Sequence, residues 1–455
     1  MIGIKAKASR LEVFLNHPVK RPQFITFFIC FLLLLIRGWE RLAYPVIWAE
    51  DGTLGIAPIY NEGFFTIFQS ETGTYLPLLK ASGLIQYLVP TFWIPFALTF
   101  LCFFITAALS SKIAQKEYRD LIPNDIHRIM IGICLVMLPA LHEVAGNVCN
   151  LPWILTNYVV LILIKPFKVK ITLLETLLAV LFITNGAQSV LLFPMFLTRI
   201  ALIYRSKQIR DQNKAVPEIF LFSVTLAITL LNVMDYKTSN GSRGMAEESI
   251  FQYFSQRIDG LFYGTINTYV TQPILGADIG SWIASNYLAV WWIGAVIGLG
   301  LIVWFGLKCR SAYEKHVYLA LLSMVGGIPL LFIARKTAHL AYSEPHAILT
   351  VQRYAYNLPL YPLILWVLII LKLFLLKPYF KKNSALMIFL FLVFYCVVNA
   401  SYFWLPSKRP ENYNWKLTAE LIDTFKSTGN PLSLEVPIAP KGWTFTLHSK
   451  TSSEK

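Results

Sequence analysis

The sequence predicts an all-α polytopic membrane protein, of about eleven transmembrane helices, that ends in a small α+β segment. Three observations predict this. Apolar runs near membrane-crossing length recur from one end of the chain to the other. Of the 455 residues, 56% are hydrophobic and only 14% are charged, where a soluble chain carries roughly 25% charged residues. The formal charge of +15 collects as Lys and Arg in short loops between the apolar runs, as cytoplasmic loops do. That placement accounts for the basicity, so membrane lipid is an expected partner and nucleic acid is not.

Apolar spans are read at 24–39, 91–111, 128–141, 153–165, 171–185, 188–204, 217–233, 288–306, 316–334, 357–376 and 384–403. Lys5, Lys7, Arg10, Lys20 and Arg21 precede the first span without a small-residue cleavage site. The N-terminus is therefore expected inside, with no cleaved signal. Residues 75–89 are apolar but short and carry Lys80. Taken as an interfacial or re-entrant helix, they let every strongly basic short loop fall on one side and leave the C-terminus outside. A 1–403 membrane domain then exposes outer loops at 40–90, 142–152, 234–287 and 335–356, and 404–455 forms an outer tail. Several spans are short and must tilt or be shielded by neighbours.

The tail differs in composition. Residues 412–427 space Trp415, Leu417, Leu421 and Phe425 as an amphipathic helix, and 432–436 and 443–447 read as short strands. So few residues build little core alone, so this piece should lean on the outer loops. Six scattered cysteines show neither a disulfide framework nor zinc spacing, and they read as structural. No internal repeat is visible, which counts against a transporter built from inverted repeats.

Glu50-Asp51 is the first place to look for chemistry. Two adjacent carboxylates follow Trp48 and precede Gly52, just outside span one. A carboxylate partly desolvated near a bilayer surface is raised toward the working range of a general base. The alternative is an acid pair at the N-terminus of a helix over 53–60, favoured by the helix dipole. Lys80, Arg243, Arg257, Arg335, Lys336 and Arg353 are cations on the outer side, where the charge rule makes them scarce. With Tyr354 beside Arg353, they suit a phosphate at headgroup depth, whose charge such donors stabilise as a bond to it breaks. Snorkelling or pairing with anionic lipid is the alternative for each. Between spans three and four lie His142, Glu143, Asn147, Asn150 and Trp153, a compact polar group with amides and an indole face of the kind that contact sugars. Loop capping is the alternative for the Asn residues. No second His stands at ligand spacing from His142, so no metal site is expected.

Four stretches carry a resemblance. They are Trp48-Ala49-Glu50-Asp51-Gly52, then Gly73-Thr74-Tyr75-Leu76-Pro77 with Lys80, then Glu143 through Asn147, Asn150 and Trp153, and finally Asn414-Trp415-Lys416 with Val436 through Trp443. Together they resemble bacterial polytopic glycosyltransferases of the GT-C superfamily, including the serotype-converting O-antigen glucosyltransferases. His142, Cys149 and Ala439 depart from that pattern. The resemblance implies an undecaprenyl-phosphate-linked sugar donor, inversion at the anomeric carbon, and Asp51 as base with Glu50 as its partner. It implies a hexose, glucose being the first candidate, moved to a lipid-linked glycan or O-antigen on the periplasmic face of the inner membrane, with no cofactor. Two rival expectations stay open. One is a lipid-linked glycan flippase or other transporter, which calls for ionisable groups deep in the spans; Glu175 and Arg199 are the candidates, both near span ends from which they can snorkel. The other is a non-catalytic membrane partner of a glycan-assembly complex.

Overall fold

The computed structural model describes residues 18–70, 75–138, 141–185, 187–205, 215–238, 266, 270–334, 357–375, 384–400, 403–404, 413–428, 430 and 432–449. It is mostly helical, with a two-stranded sheet near the C-terminus. Each of the eleven apolar stretches is helical over most of its length, and the apolar runs tolerate internal breakers such as Pro362 in the tenth. These helices are α1 Pro22–Arg37, α6 Ile94–Ser111, α7 Asp125–Met137, α9 Leu151–Leu163, α10 Leu173–Ile183, α11 Phe193–Arg205, α12 Val216–Thr238, α15 Leu288–Lys308, α16 Ala312–Ala334, α17 Asn357–Leu375 and α18 Ser384–Val398. Among the described residues, three helical stretches are long and apolar enough to cross a membrane: Thr91–Ala114, Val216–Met234 and Leu288–Lys308. Large side chains such as Ile293, Val296 and Val303 on α15 stand exposed.

Local signals set the boundaries. Asn124 caps α7, its side-chain oxygen accepting from the Ile126 and His127 amides. Thr172 and Glu175 form a reciprocal capping box that opens α10.

Side-chain contacts join the helix ends in two sets. In the first set Lys112, at the end of α6, pairs with Glu175 on α10 at 2.8 Å. Lys165, just past α9, pairs with Glu175 at 3.0 Å and with Glu117 at 2.6 Å. The last carbonyls of a helix have no partner within it. Here those of α9 are met from elsewhere: Arg199 and His316 donate to the Leu163 oxygen, and Tyr313 donates to that of Ile164. Glu314 of α16 takes Lys372 of α17 at 2.8 Å. The second set joins the opposite ends. Arg37, closing α1, donates to the carbonyls of Val136 and Leu138 at the end of α7. Asn185, past α10, accepts from the Leu78 amide at 2.7 Å.

Glu175 and Arg199 do not snorkel. Arg199 and Glu218 are fully buried and paired at 3.0 Å, and Glu175 is held by two lysines. Burial inside a bundle leaves no path to water, and an unpaired charge there is costly, so partners neutralise both.

The expected single helix over 75–89 is two short ones, α4 Pro77–Ser82 and α5 Ile85–Leu88. They are broken at Gly83, whose backbone packs on Gly55: a Cβ there would stand 2.1 Å from the Gly55 oxygen. The tail contains α19 Trp415–Thr428 and an antiparallel hairpin, β1 Ser433–Ile438 with β2 Trp443–His448. It leans on the segment between α1 and α6, as its small size requires. The Trp415 indole donates to the Phe92 carbonyl at 2.7 Å, and Asn61 bridges the Thr446 oxygen and the His448 amide at 2.9 Å each.

Candidate functional site

The acid motif begins a helical turn of unusual width. The chain after α1 makes the short α2 Trp39–Ala43, runs extended, and re-enters helix at Ala49. Residues Asp51–Ile56 then form a π-helix that continues into α3 Ala57–Asn61. Such turns are rare and occur disproportionately at functional sites. Two glycines make room for it. A Cβ on Gly52 would lie 2.6 Å from the Phe445 ring of β2, and one on Gly55 would lie 3.1 Å from the Leu79 oxygen. The tail strand adds main-chain pairing, with the Ala439 amide donating to Ile47 at 3.0 Å.

Glu50 makes no capping bond to this helix, and Asp51 caps a different one. Its Oδ1 accepts from the Cys149 amide at 2.8 Å and its Oδ2 from the Val148 amide at 3.1 Å. Those donors begin the 3₁₀ turn Val148–Asn150 that leads into α9, so the carboxylate faces the positive end of that helix. Asp51 is 2% exposed. Burial is the largest influence on it and raises its pKa; the two amide bonds oppose this and the neighbouring Glu50 charge adds to it. The outcome is a pKa of about 7 in place of 3.8.

A narrow cleft with a free volume of about 10 Å³, room for about one water molecule, reaches Asp51; Arg41, Trp48, Leu98, Thr99 and Asn147 also line it. Arg41 donates to the Asn147 side-chain oxygen at 2.8 Å. Its guanidinium lies 5.9 Å from the centre of the Trp48 ring, within cation–π range. Gly146, at φ +87°, lets Arg41 pass: a Cβ there would stand 3.0 Å from the guanidinium nitrogen. One cleft therefore holds a carboxylate with a pKa near neutrality, a fixed cation, an amide and an indole face. Chemically, the carboxylate can take up a proton, and Arg41 places positive charge in the same cleft.

Of the residues singled out in the sequence, Trp48, Asp51 and Asn147 come together here. Glu50 is half-buried beside them, with the Cys149 thiol 3.8 Å from its Oε2. Asn150 is buried at the start of α9, Trp153 packs against the core one turn on, and neither lines the cleft. Lys80 is buried on α4, which packs against both the π-helix and the 148–150 turn. Arg243, Arg257, Arg335, Lys336, Arg353 and Tyr354 lie outside the described residues, as do the side chains of His142 and Glu143. All six cysteines are free thiols. Among the described residues no three His, Cys, Asp or Glu side chains group as metal ligands would.

Arg37 and Arg41 were not anticipated. The signal was present, since Arg37 ends the first apolar run and Arg41 falls just past it, on the side expected to be poor in cations. The contribution of the tail to this site, through Ala439 and Phe445, had no signal beyond its small size.

Compared with known proteins, the chain matches no family model, no curated protein and no solved structure.

Proposed function

We propose that the protein is an inverting membrane glycosyltransferase. It takes a hexose from a polyprenyl-phosphate carrier and transfers it to a lipid-linked glycan or O-antigen on the periplasmic face of a bacterial inner membrane. The observation that carries the reading is Asp51: a buried carboxylate, with a pKa of about 7, in a cleft that also holds Arg41. In the proposed step an acceptor hydroxyl attacks the anomeric carbon. Its proton passes to the Asp51 carboxylate as the new C–O bond forms. The bond from that carbon to phosphate breaks, and the electron pair leaves with the phosphate. A base is most effective when its pKa lies near the working pH. Arg41, steadied by Asn147, is placed to meet phosphate charge that grows as the bond breaks. Trp48 offers an aromatic face to a sugar ring.

The membrane placement is part of the proposal: eleven spans, N-terminus inside, and the acid motif and tail outside. Its support is that the two sets of joined helix ends are the two sets that basic-loop alternation separates. A transporter reading calls for ionisable groups available inside the spans. Arg199 and Glu218 are instead paired with each other, which favours a structural role.

The test compares glycan mass and linkage in cells carrying the gene, lacking it, or carrying Asp51→Asn. The reading predicts one hexose fewer in the second, and the same loss in the third with the Asp51→Asn protein at its normal level. An unchanged glycan in the cells lacking the gene overturns it.

A further inference from the structure

We propose that the 3₁₀ turn Phe64–Phe68 is a lipid-contacting tongue that holds the acid motif at the membrane surface. The turn is anchored on one side only. Thr66 and Ile67 are buried, and the Thr66 hydroxyl donates to the Gly63 carbonyl at 2.8 Å. Gly63, at φ +91°, turns the chain into it in a conformation that favours glycine. Phe64, Phe65 and Phe68 face outward, 52%, 79% and 66% exposed. Phe64 lies edge-on to both of the others, with ring centres 6.1 Å apart in each case. Three exposed phenylalanines in five residues are far outside what a water-facing loop carries.

The occupant is the bilayer that the apolar helices cross. Further along the same loop Tyr87 and Leu88 are exposed on α5, which packs against α6. Trp93 opens α6, 52% exposed, and Phe100 and Phe104 continue along its flank. An exposed Trp at the mouth of a membrane-length helix marks the headgroup level; the tongue packs against α4, which α5 follows after two residues, so its exposed rings belong near that level. The flanking residues Glu62 and Gln69 are polar and exposed, as in a segment that dips in and returns. Only α3 separates the tongue from the π-helix that presents Asp51, so the depth of one sets the depth of the other. A cleft fixed at headgroup level suits a substrate whose phosphate rides on lipid.

This inference rests on the proposed membrane placement and not on sugar transfer. The test places a single spin label at Phe65→Cys, at Phe100→Cys as a span reference, or at Lys441→Cys as an aqueous reference on the tail. The half-buried native thiols Cys149 and Cys396 are replaced by serine, and the full chain is reconstituted in phosphatidylethanolamine and phosphatidylglycerol vesicles. Collisions with oxygen, which partitions into lipid, are compared with collisions with a water-soluble nickel chelate. The proposal predicts that position 65 favours oxygen as position 100 does, while 441 favours nickel. It is overturned if 65 behaves as 441, or if 65 is shielded from both reagents as a protein interface would be. If 100 also favours nickel, the membrane placement falls with it.

Discussion

The contact between the tail and the acid motif is open to a sharp test at Gly52. Gly52→Ala places a methyl group 2.6 Å from Cδ1 and 3.1 Å from Cε1 of Phe445, and 3.2 Å from Cδ1 of Ile438. Cδ1 is close to the root of the ring, and Phe445 is 3% exposed, so the ring has nowhere to turn. The hairpin must lift or the π-helix must shift. Overpacking of this kind costs about 1–3 kcal/mol. The Ala439 amide bond to Ile47 ties the hairpin to the same stretch, so strain at Gly52 reaches the chain just before Asp51. The assay is a double-mutant cycle with Phe445→Ala, read as apparent melting temperature and as protease sensitivity of the tail in detergent-purified protein. Gly52→Ala should lower melting and expose the tail. Phe445→Ala removes the ring atoms that clash, so in its background the added cost should shrink, giving a coupling of about 1 kcal/mol or more. If Gly52→Ala is equally harmful in both backgrounds, the packing argument fails.

Other outcomes follow from the same geometry. Gly83→Ala drives a Cβ to 2.1 Å from the Gly55 oxygen, which is backbone and cannot yield, whereas Gly300 has open space around it. The first should prevent stable folding, and Gly300→Ala should raise melting slightly by improving helix propensity, about 1 kcal/mol at most; fluorescence-detected size exclusion with heating separates them. Arg199→Met removes one member of the buried Arg199–Glu218 ion pair and should destabilise by about 3–5 kcal/mol, much of it recovered when Glu218→Met is added; the two melting curves decide. For Asp51 the folded pKa of about 7 lies above its ordinary 3.8, so between those values the folded chain holds a proton that the unfolded chain has lost. Its contribution to stability therefore falls as pH rises through that window, by up to about 4 kcal/mol. Asp51→Asn should flatten that part of the melting-temperature profile.

The helices were legible in the sequence because long apolar runs admit few alternatives, whereas the caps at Asn124 and Thr172 that set two of their starts went unread. The tail was legible as helix and hairpin from local patterning alone. The site was legible only in part. Asp51 was identified by its position after span one, but its partners Val148 and Cys149 are about a hundred residues away, and no local pattern pairs a carboxylate with a distant helix N-terminus. Arg41 was overlooked because it abuts the first span, where a basic residue reads as its end. Lys80 and Asn150 stood out by residue type, and their burial depends on how α4 and α9 pack. The break at Gly83 depends likewise on a close approach to Gly55 that only the assembled chain makes.

The central claim, that Asp51 is the proton acceptor in sugar transfer, is tested most directly by the pH dependence of the purified protein acting on a polyprenyl-phosphate hexose and a lipid-linked acceptor. The proposal predicts a rate that climbs with pH through a midpoint near 7, the pKa set by burial of this carboxylate, and an Asp51→Asn rate lower by roughly 10²–10⁴-fold that lacks that midpoint. Transfer by Asp51→Asn at the native rate, with the same midpoint, would contradict it.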